Sequence, residues 1–137
     1  MANAFRCTLV TPEQQVLDEN VTYASVPAFD GQIGLMHGHA PLLAQLGDGA
    51  LRLDFADGGS RWFFIGGGFA QMKDNKLALV ADEAAPADAI VKSTAEEELK
   101  KALETVARSE EEIEKKYRAI ERARAMSAIQ GKQGGKI

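Results

Sequence analysis

The chain changes character at about residue 87. All four prolines (Pro12, Pro27, Pro41, Pro86) and ten of the thirteen glycines precede that point, among short β-branched and aromatic runs. From Ile90 to Gln130 there is neither Gly nor Pro, and Ala, Glu, Lys and Arg dominate. Strands joined by tight turns need the first composition, and helices need the second. A β module over 1–88, a helical segment over 89–130 and a flexible end over 131–137 are therefore expected. The predicted class is α+β: an N-terminal antiparallel β-sandwich, or flattened barrel, followed by a C-terminal two-helix hairpin able to extend.

Strand signals recur every eight to twelve residues in the first part. Phe5 to Val10 alternates, and Thr11-Pro12-Glu13 then turns the chain into Gln15-Val16-Leu17. Val21 to Val26 follows with period two and is expected to stop at Pro27. Leu51 to Phe55 and Arg61 to Ile65 flank Asp57-Gly58-Gly59, while Ala70 to Lys73 and Lys76 to Val80 flank Asp74-Asn75; both are hairpin signals. Short strands with hairpins and no helix between them predict a sandwich or barrel. Cys7, in the alternating run Phe5, Cys7, Leu9, is expected to pack as a small apolar residue.

The second part predicts two helices. Thr94-x-x-Glu97 and Ser109-x-x-Glu112 both fit the capping box, in which a hydroxyl and a carboxylate satisfy orphan amides at a helix start. The first helix would run from about Thr94 to Ala107, and the second would begin at Ser109. Leu99, Leu103 and Val106 form one apolar stripe, and Ile113, Tyr117 and Ile120 another. The two stripes share a heptad phase interrupted at Glu110. A hairpin broken at Arg108-Ser109 and one continuous helix both satisfy this pattern. Beyond Ala123 the stripe fails, so the last turn either changes partner or frays.

Charge is divided unevenly. The net charge is −4, yet residues 115–137 hold seven basic side chains against the single Glu121. Such an excess draws the last helix towards an acidic partner. Lys115, Arg118 and Arg122 fall on one face of that helix, opposite Ile113, Tyr117 and Ile120. The apolar face is expected to hold the sandwich or a helix of a partner, and the basic face to stay free for carboxylates. Nucleic acid is not the expected partner, because the whole chain is acidic and the tail offers only Tyr117 for stacking.

Other chemistry finds little support. No run approaches the ~18 apolar residues of a membrane span, so direct insertion is not expected. No secretion signal precedes the first strand pattern, and a mature intracellular protein is expected. Gly66-Gly67-Gly68 lacks the Lys-Ser/Thr pair of a phosphate loop and reads as a strand site where another backbone approaches closely. His37 and His39 have no further His, and the single Cys7 is distant, so no metal or cofactor is expected. Carboxylates lie scattered over turns, without the apolar pocket that acid–base catalysis needs. The chain is not expected to be an enzyme.

The stretch from Val26 to Leu43, which contains Gly31-Gln32-Ile33-Gly34 and Gly38-His39-Ala40-Pro41-Leu42-Leu43, resembles the epsilon subunit of the F-type ATP synthase, equivalent to the subunit called delta in mitochondria. Gly67-Gly68-Phe69, Asn75-Lys76-Leu77 and Val80-Ala81-Asp82-Glu83-Ala84 extend the likeness over essentially the whole chain. His37 replaces a usual Pro, and Gln32 an often-found Glu.

The resemblance implies a non-catalytic rotor subunit on the cytoplasmic face of the bacterial inner membrane. In the family the sandwich docks on the gamma subunit and on the polar loops of the c-ring. The two helices lie on the sandwich or rise along gamma, where they obstruct ATP hydrolysis. Carried over, Phe29, Asp30, Gly31 and Gln32 face the c-ring, and His39, Pro41, Leu42 and Leu43 shape the surface near gamma. Lys115, Arg118 and Arg122 meet an acidic segment of the catalytic beta subunit. ATP-sensing members carry I-D-x-x-R-A at the start of the first helix. Ile90-Val91-Lys92-Ser93-Thr94-Ala95 lacks both its Asp and its Arg, so ATP binding is expected to be weak or absent. The rival readings are an ATP-sensing subunit of the same complex, or a free-standing sandwich adaptor with a coiled-coil tail.

Overall fold

Alternation turns Phe5, Cys7 and Leu9 inward along β1 (Phe5–Val10), which lies between β2 (Gln15–Ala28) and β6 (Lys76–Pro86). The computed structural model describes residues 3–89 and 92–129, with backbone alone for Lys92 and Ser93. β3 (Gly31–Leu35), β4 (Leu42–Phe55) and β5 (Ser60–Lys73) complete a six-stranded sheet. A ring closes through β1, β2, β4, β5 and β6, while β3 pairs with β2 beyond the point where β1 leaves it. Four contacts around the ring are antiparallel and the fifth, β1 with β6, is parallel. The sandwich or flattened barrel read from the sequence is found, antiparallel throughout except at this one seam. Direction cannot alternate around an odd ring, so one parallel pair is forced.

The hairpins fall where the sequence places them. Asp74 and Asn75 both take positive φ (52° and 58°), as a two-residue primed turn requires. Gly58 and Gly59 also take positive φ between β4 and β5. Three strands run further than expected. β2 continues through Pro27, which sits where its ladder to β4 shifts register, so the missing N–H costs no regular bond there. Opposite that proline stands Gly49, where a Cβ would come within 2.8 Å of the proline ring. β4 runs unshifted through Gly47-Asp48-Gly49, well before its expected start at Leu51, and β5 through Gly66-Gly67-Gly68. Glycines let these long strands bend at the barrel corner without breaking the ladder.

The core fills the ring with Phe5, Leu9, Val21, Leu51, Leu53, Phe63, Ile65, Met72, Leu77 and their neighbours. Cys7 is wholly buried among them, and loss of water pushes its thiol pKa up to about 12. We therefore expect no labelling of Cys7 by a thiol-alkylating reagent in the folded protein and full labelling in denaturant. Rapid labelling under native conditions would contradict this packing.

A 3-10 turn (Ala87–Ala89) leads towards α1 (Lys92–Glu104), and α2 (Glu110–Ile129) returns beside it. Of the two tail geometries the sequence allows, the chain adopts the hairpin. Its break is wider than predicted, because α1 ends at Glu104, where the Thr105 hydroxyl donates to the Lys101 carbonyl at 2.7 Å. Thr94 lies inside the first turn of α1 rather than before it. Ser109 does cap α2: its hydroxyl accepts from the Glu112 N–H at 3.1 Å, and the Glu112 carboxylate accepts from the Arg108 N–H at 2.7 Å.

Candidate functional site

α2 uses two faces, and their assignment differs from the sequence reading. Ile113, Tyr117 and Ile120 line a groove with Leu103 and Ala107, so the apolar stripe serves the partner helix and its loop. Tyr117 nevertheless remains 64% exposed. The sandwich is met instead by Arg118, Arg122, Ala125, Met126 and Ile129, at spacings of four and three. Arg118 donates from Nε to Oδ2 of Asp48 at 2.9 Å, and Arg122 donates from Nη2 to Oε1 of Glu83 at 2.6 Å. The basic face expected to be free is thus turned inward at two of its three members. Lys115 alone points outward, 3.5 Å from Glu111 one turn away.

The seam has a defined physical basis. The Asp48 side chain is 6% exposed, so its carboxylate depends on Arg118 for compensation. Hydrogen bonding to Asp48 raises the Arg118 guanidinium pKa above its ordinary value, and Glu83 does the same for Arg122 against the opposing effect of burial. The Arg122 guanidinium also lies 5.0 Å from the centre of the Phe64 ring. Phe64, Ala87 and Ile129 form a second buried cluster beneath the end of α2, flanked by Ala50, Trp62, Ala125 and Met126. The last turn of α2 has changed partner rather than frayed.

The glycine run forms the floor of this seam. A Cβ on Gly66 would press on Glu83 and on Arg122 at 3.3 Å, and one on Gly67 would meet Asp82 at 2.8 Å with Arg118 at 3.5 Å. Gly68 fits the sequence reading of a close backbone approach, since a Cβ there would enter the Val80 carbonyl of β6. Between sandwich and α2 lies an open groove of about 510 Å³ whose lining includes Asp48, Asp82, Glu114 and Glu121. Arg118, the cation lining it, is already paired. That balance disfavours a polyphosphate.

The residues assigned to partners by resemblance are strung along the flank of β4. Phe29 and Asp30 form the exposed turn between β2 and β3, and Gly31 opens β3 at φ 140°. Gln32 donates through Nε2 to Ser25 Oγ (3.0 Å) and to the Ala50 carbonyl (3.1 Å). His39 and Pro41 lie in the exposed loop before β4, anchored by the Gly38 N–H to Asn75 Oδ1 at 2.7 Å. Leu42 turns inward against the core, whereas Leu43 is 71% exposed. Two residues to which the sequence reading assigns no partner share the face of Leu43: Phe69 and Val80, both more than half exposed and paired across β5 and β6. Phe29 borders this face through its N–H to the Gln45 carbonyl (2.8 Å), Gln45 being the β4 partner of Phe69. A large aromatic at an outward position of a strand is the signal that marks such a patch. Ile90 and Val91, where the comparison with the ATP-sensing motif begins, and the end segment 131–137 lie outside the described residues.

Comparison with known proteins agrees with this layout. The family model for the ATP synthase delta/epsilon chain β-sandwich domain matches residues 4–87. The ATP synthase epsilon chain of Rhodopirellula baltica is 36% identical over 121 residues, covering 88% of this chain and 94% of that one. The epsilon chain of Nitratidesulfovibrio vulgaris strain DP4 is 32% identical over 130 residues, with 95% and 91% covered. Among solved structures, a chain of the Euglena gracilis mitochondrial ATP synthase (OSCP/F1/c-ring, rotational state 1) superposes with a TM-score of 0.82 at 23% identity, over 91% of this chain and 80% of that one. That likeness shows the shared fold; the matched sandwich and the relatives aligned over 88% and 95% of the chain show more, and the chain belongs to the ATP synthase delta/epsilon family.

Proposed function

We propose that this chain is a non-catalytic central-stalk subunit of a proton-translocating F-type ATP synthase. Its sandwich joins gamma to the c-ring, and its C-terminal helices restrain ATP hydrolysis when they leave the sandwich. The complex would hold it peripherally at the cytoplasmic face of a bacterial inner membrane. Among the described residues no helix is long and apolar enough to cross a membrane. The Phe29, Asp30, Gly31 and Gln32 turn is assigned to the c-ring loops, and His39, Pro41, Leu42 and Leu43 to gamma. Lys115, Arg118 and Arg122 are assigned to the acidic segment of the catalytic beta subunit.

The observation that carries the docking role is the outward apolar face of Leu43, Phe69 and Val80. Three large apolar side chains on one sheet face, left in water, suit a partner that covers them. A chain ended after Asp88 keeps all six strands and this face, and we expect it to fold and to co-purify with gamma in equal numbers. Phe69→Glu in the full chain should weaken that association about thirtyfold or more, the loss typical of a central apolar anchor, about 2 kcal/mol. Unaltered binding by Phe69→Glu would remove the face from the gamma interface. A shortened chain that folds but no longer binds would give the docking role to the helices.

A further inference from the structure

The arginines assigned above to an external acidic partner are already occupied within the chain. We propose that Asp48 and Glu83 act as an intramolecular latch, holding α2 on the sandwich by presenting to Arg118 and Arg122 the chemistry that an acidic partner protein would offer. This deepens the proposed function and rests on its reading of those arginines.

Three features support the latch. Both carboxylates belong to sandwich strands, Asp48 to β4 and Glu83 to β6, so the two pairs tie α2 across the sheet rather than to its own hairpin. Gly66 and Gly67 clear the space through which the guanidinium groups reach those carboxylates. One member of each pair is open to exchange, Arg118 at 69% and Glu83 at 46% exposed, whereas Asp48 is 6% exposed and keeps its compensation only while Arg118 stays or water enters. Exposed pairs are weak and salt-sensitive, which suits a contact that must open. An acidic partner and the sandwich therefore compete for the same two cations. The tail rises only where the partner's carboxylates bind them better.

The chain carries its own reporter. Its single tryptophan, Trp62, packs against the cluster under Ile129, so undocking of α2 uncovers it. Emission of the isolated full-length chain is measured for the parent and for D48N/E83Q. Each neutralised pair should raise the undocked fraction about two- to fivefold, read as a red shift. Rising salt should shift the parent but not the double variant. Gly66→Ala, whose Cβ would crowd both members of the second pair, should shift emission in the same direction and less. The charge swap E83R/R122E should restore part of the parent signal. Protection of Cys7 from alkylation in every variant separates undocking from unfolding. Parent-like emission and parent-like salt response in D48N/E83Q would overturn the latch. The assembled enzyme separates the two readings, since D48N/E83Q should lower its ATPase rate by freeing the tail. A red shift without any ATPase change would leave the latch standing and remove the braking role.

Discussion

Replacing Gly68 by alanine is expected to cost this sandwich a large part of its stability. Gly68 holds φ at 119°, a conformation that L side chains rarely adopt, and the added methyl group would enter the Val80 carbonyl on the neighbouring strand. Backbone strain and overpacking each cost about 1–3 kcal/mol, so together they remove roughly 2–6 kcal/mol. A domain of this size has only about 5–15 kcal/mol in all. Gly58 supplies the control: its φ is 102°, yet a Cβ there meets nothing within 4 Å. Gly58→Ala should therefore show the strain cost alone. Urea unfolding of both variants decides the matter. Equal midpoints would mean that β6 can move away from β5 at little cost, contrary to the packing described.

Alanine at Lys115, Arg118 and Arg122 together is expected to raise ATP hydrolysis by the assembled enzyme while leaving assembly intact. Three exposed pairs would contribute about 1–3 kcal/mol in isolation. The raised state gains less than that, because Arg118 and Arg122 first leave Asp48 and Glu83. Lys115 carries Glu111 along on the same helix and loses nothing in the move. The net preference is the difference between two sets of similar contacts, about 1 kcal/mol, and the expected activation is roughly two- to fivefold. Deleting the tail after Asp88 should exceed it. Added salt screens both sets alike and should alter the rate of the unmodified enzyme only weakly. An unchanged rate in the triple variant beside strong activation on deletion would assign the restraint to bulk rather than charge.

Local chemistry is the part of this fold that can be read from the chain. Asp74-Asn75 and Gly58-Gly59 announce their turns because positive φ restricts residue choice at the turn itself. The Ser109 cap and the inward set Phe5, Cys7 and Leu9 are legible for the same reason. β3 is not, since Gly31 and Gly34 dilute its alternation and its pairing with Pro27 and Ala28 lies beyond a proline that reads as a stop. The site divides likewise. Arg118 and Arg122 are visible as one helical face, but the carboxylates that turn this face inward stand 70 and 39 residues away. Helical periodicity says which side chains share a face and nothing about what that face meets. Phe69 and Val80 become a patch only once β5 and β6 are in register.

The parallel seam between β1 and β6 has a consequence for how the molecule is made. It zips Arg6 to Lys76 and Val10 to Val80, partners separated by 70 positions. Joining ends so far apart carries a loop-closure cost that nearer contacts do not repay in advance, so this pairing is expected to form late and slowly. During synthesis the barrel stays open until β6 has left the ribosome, and both helices follow it. α2 is then expected to land on a surface already finished, with the glycine floor and both carboxylates in position. If the chain ended after Asp88 folds as expected, the tail inherits its berth from the barrel and has no part in building it.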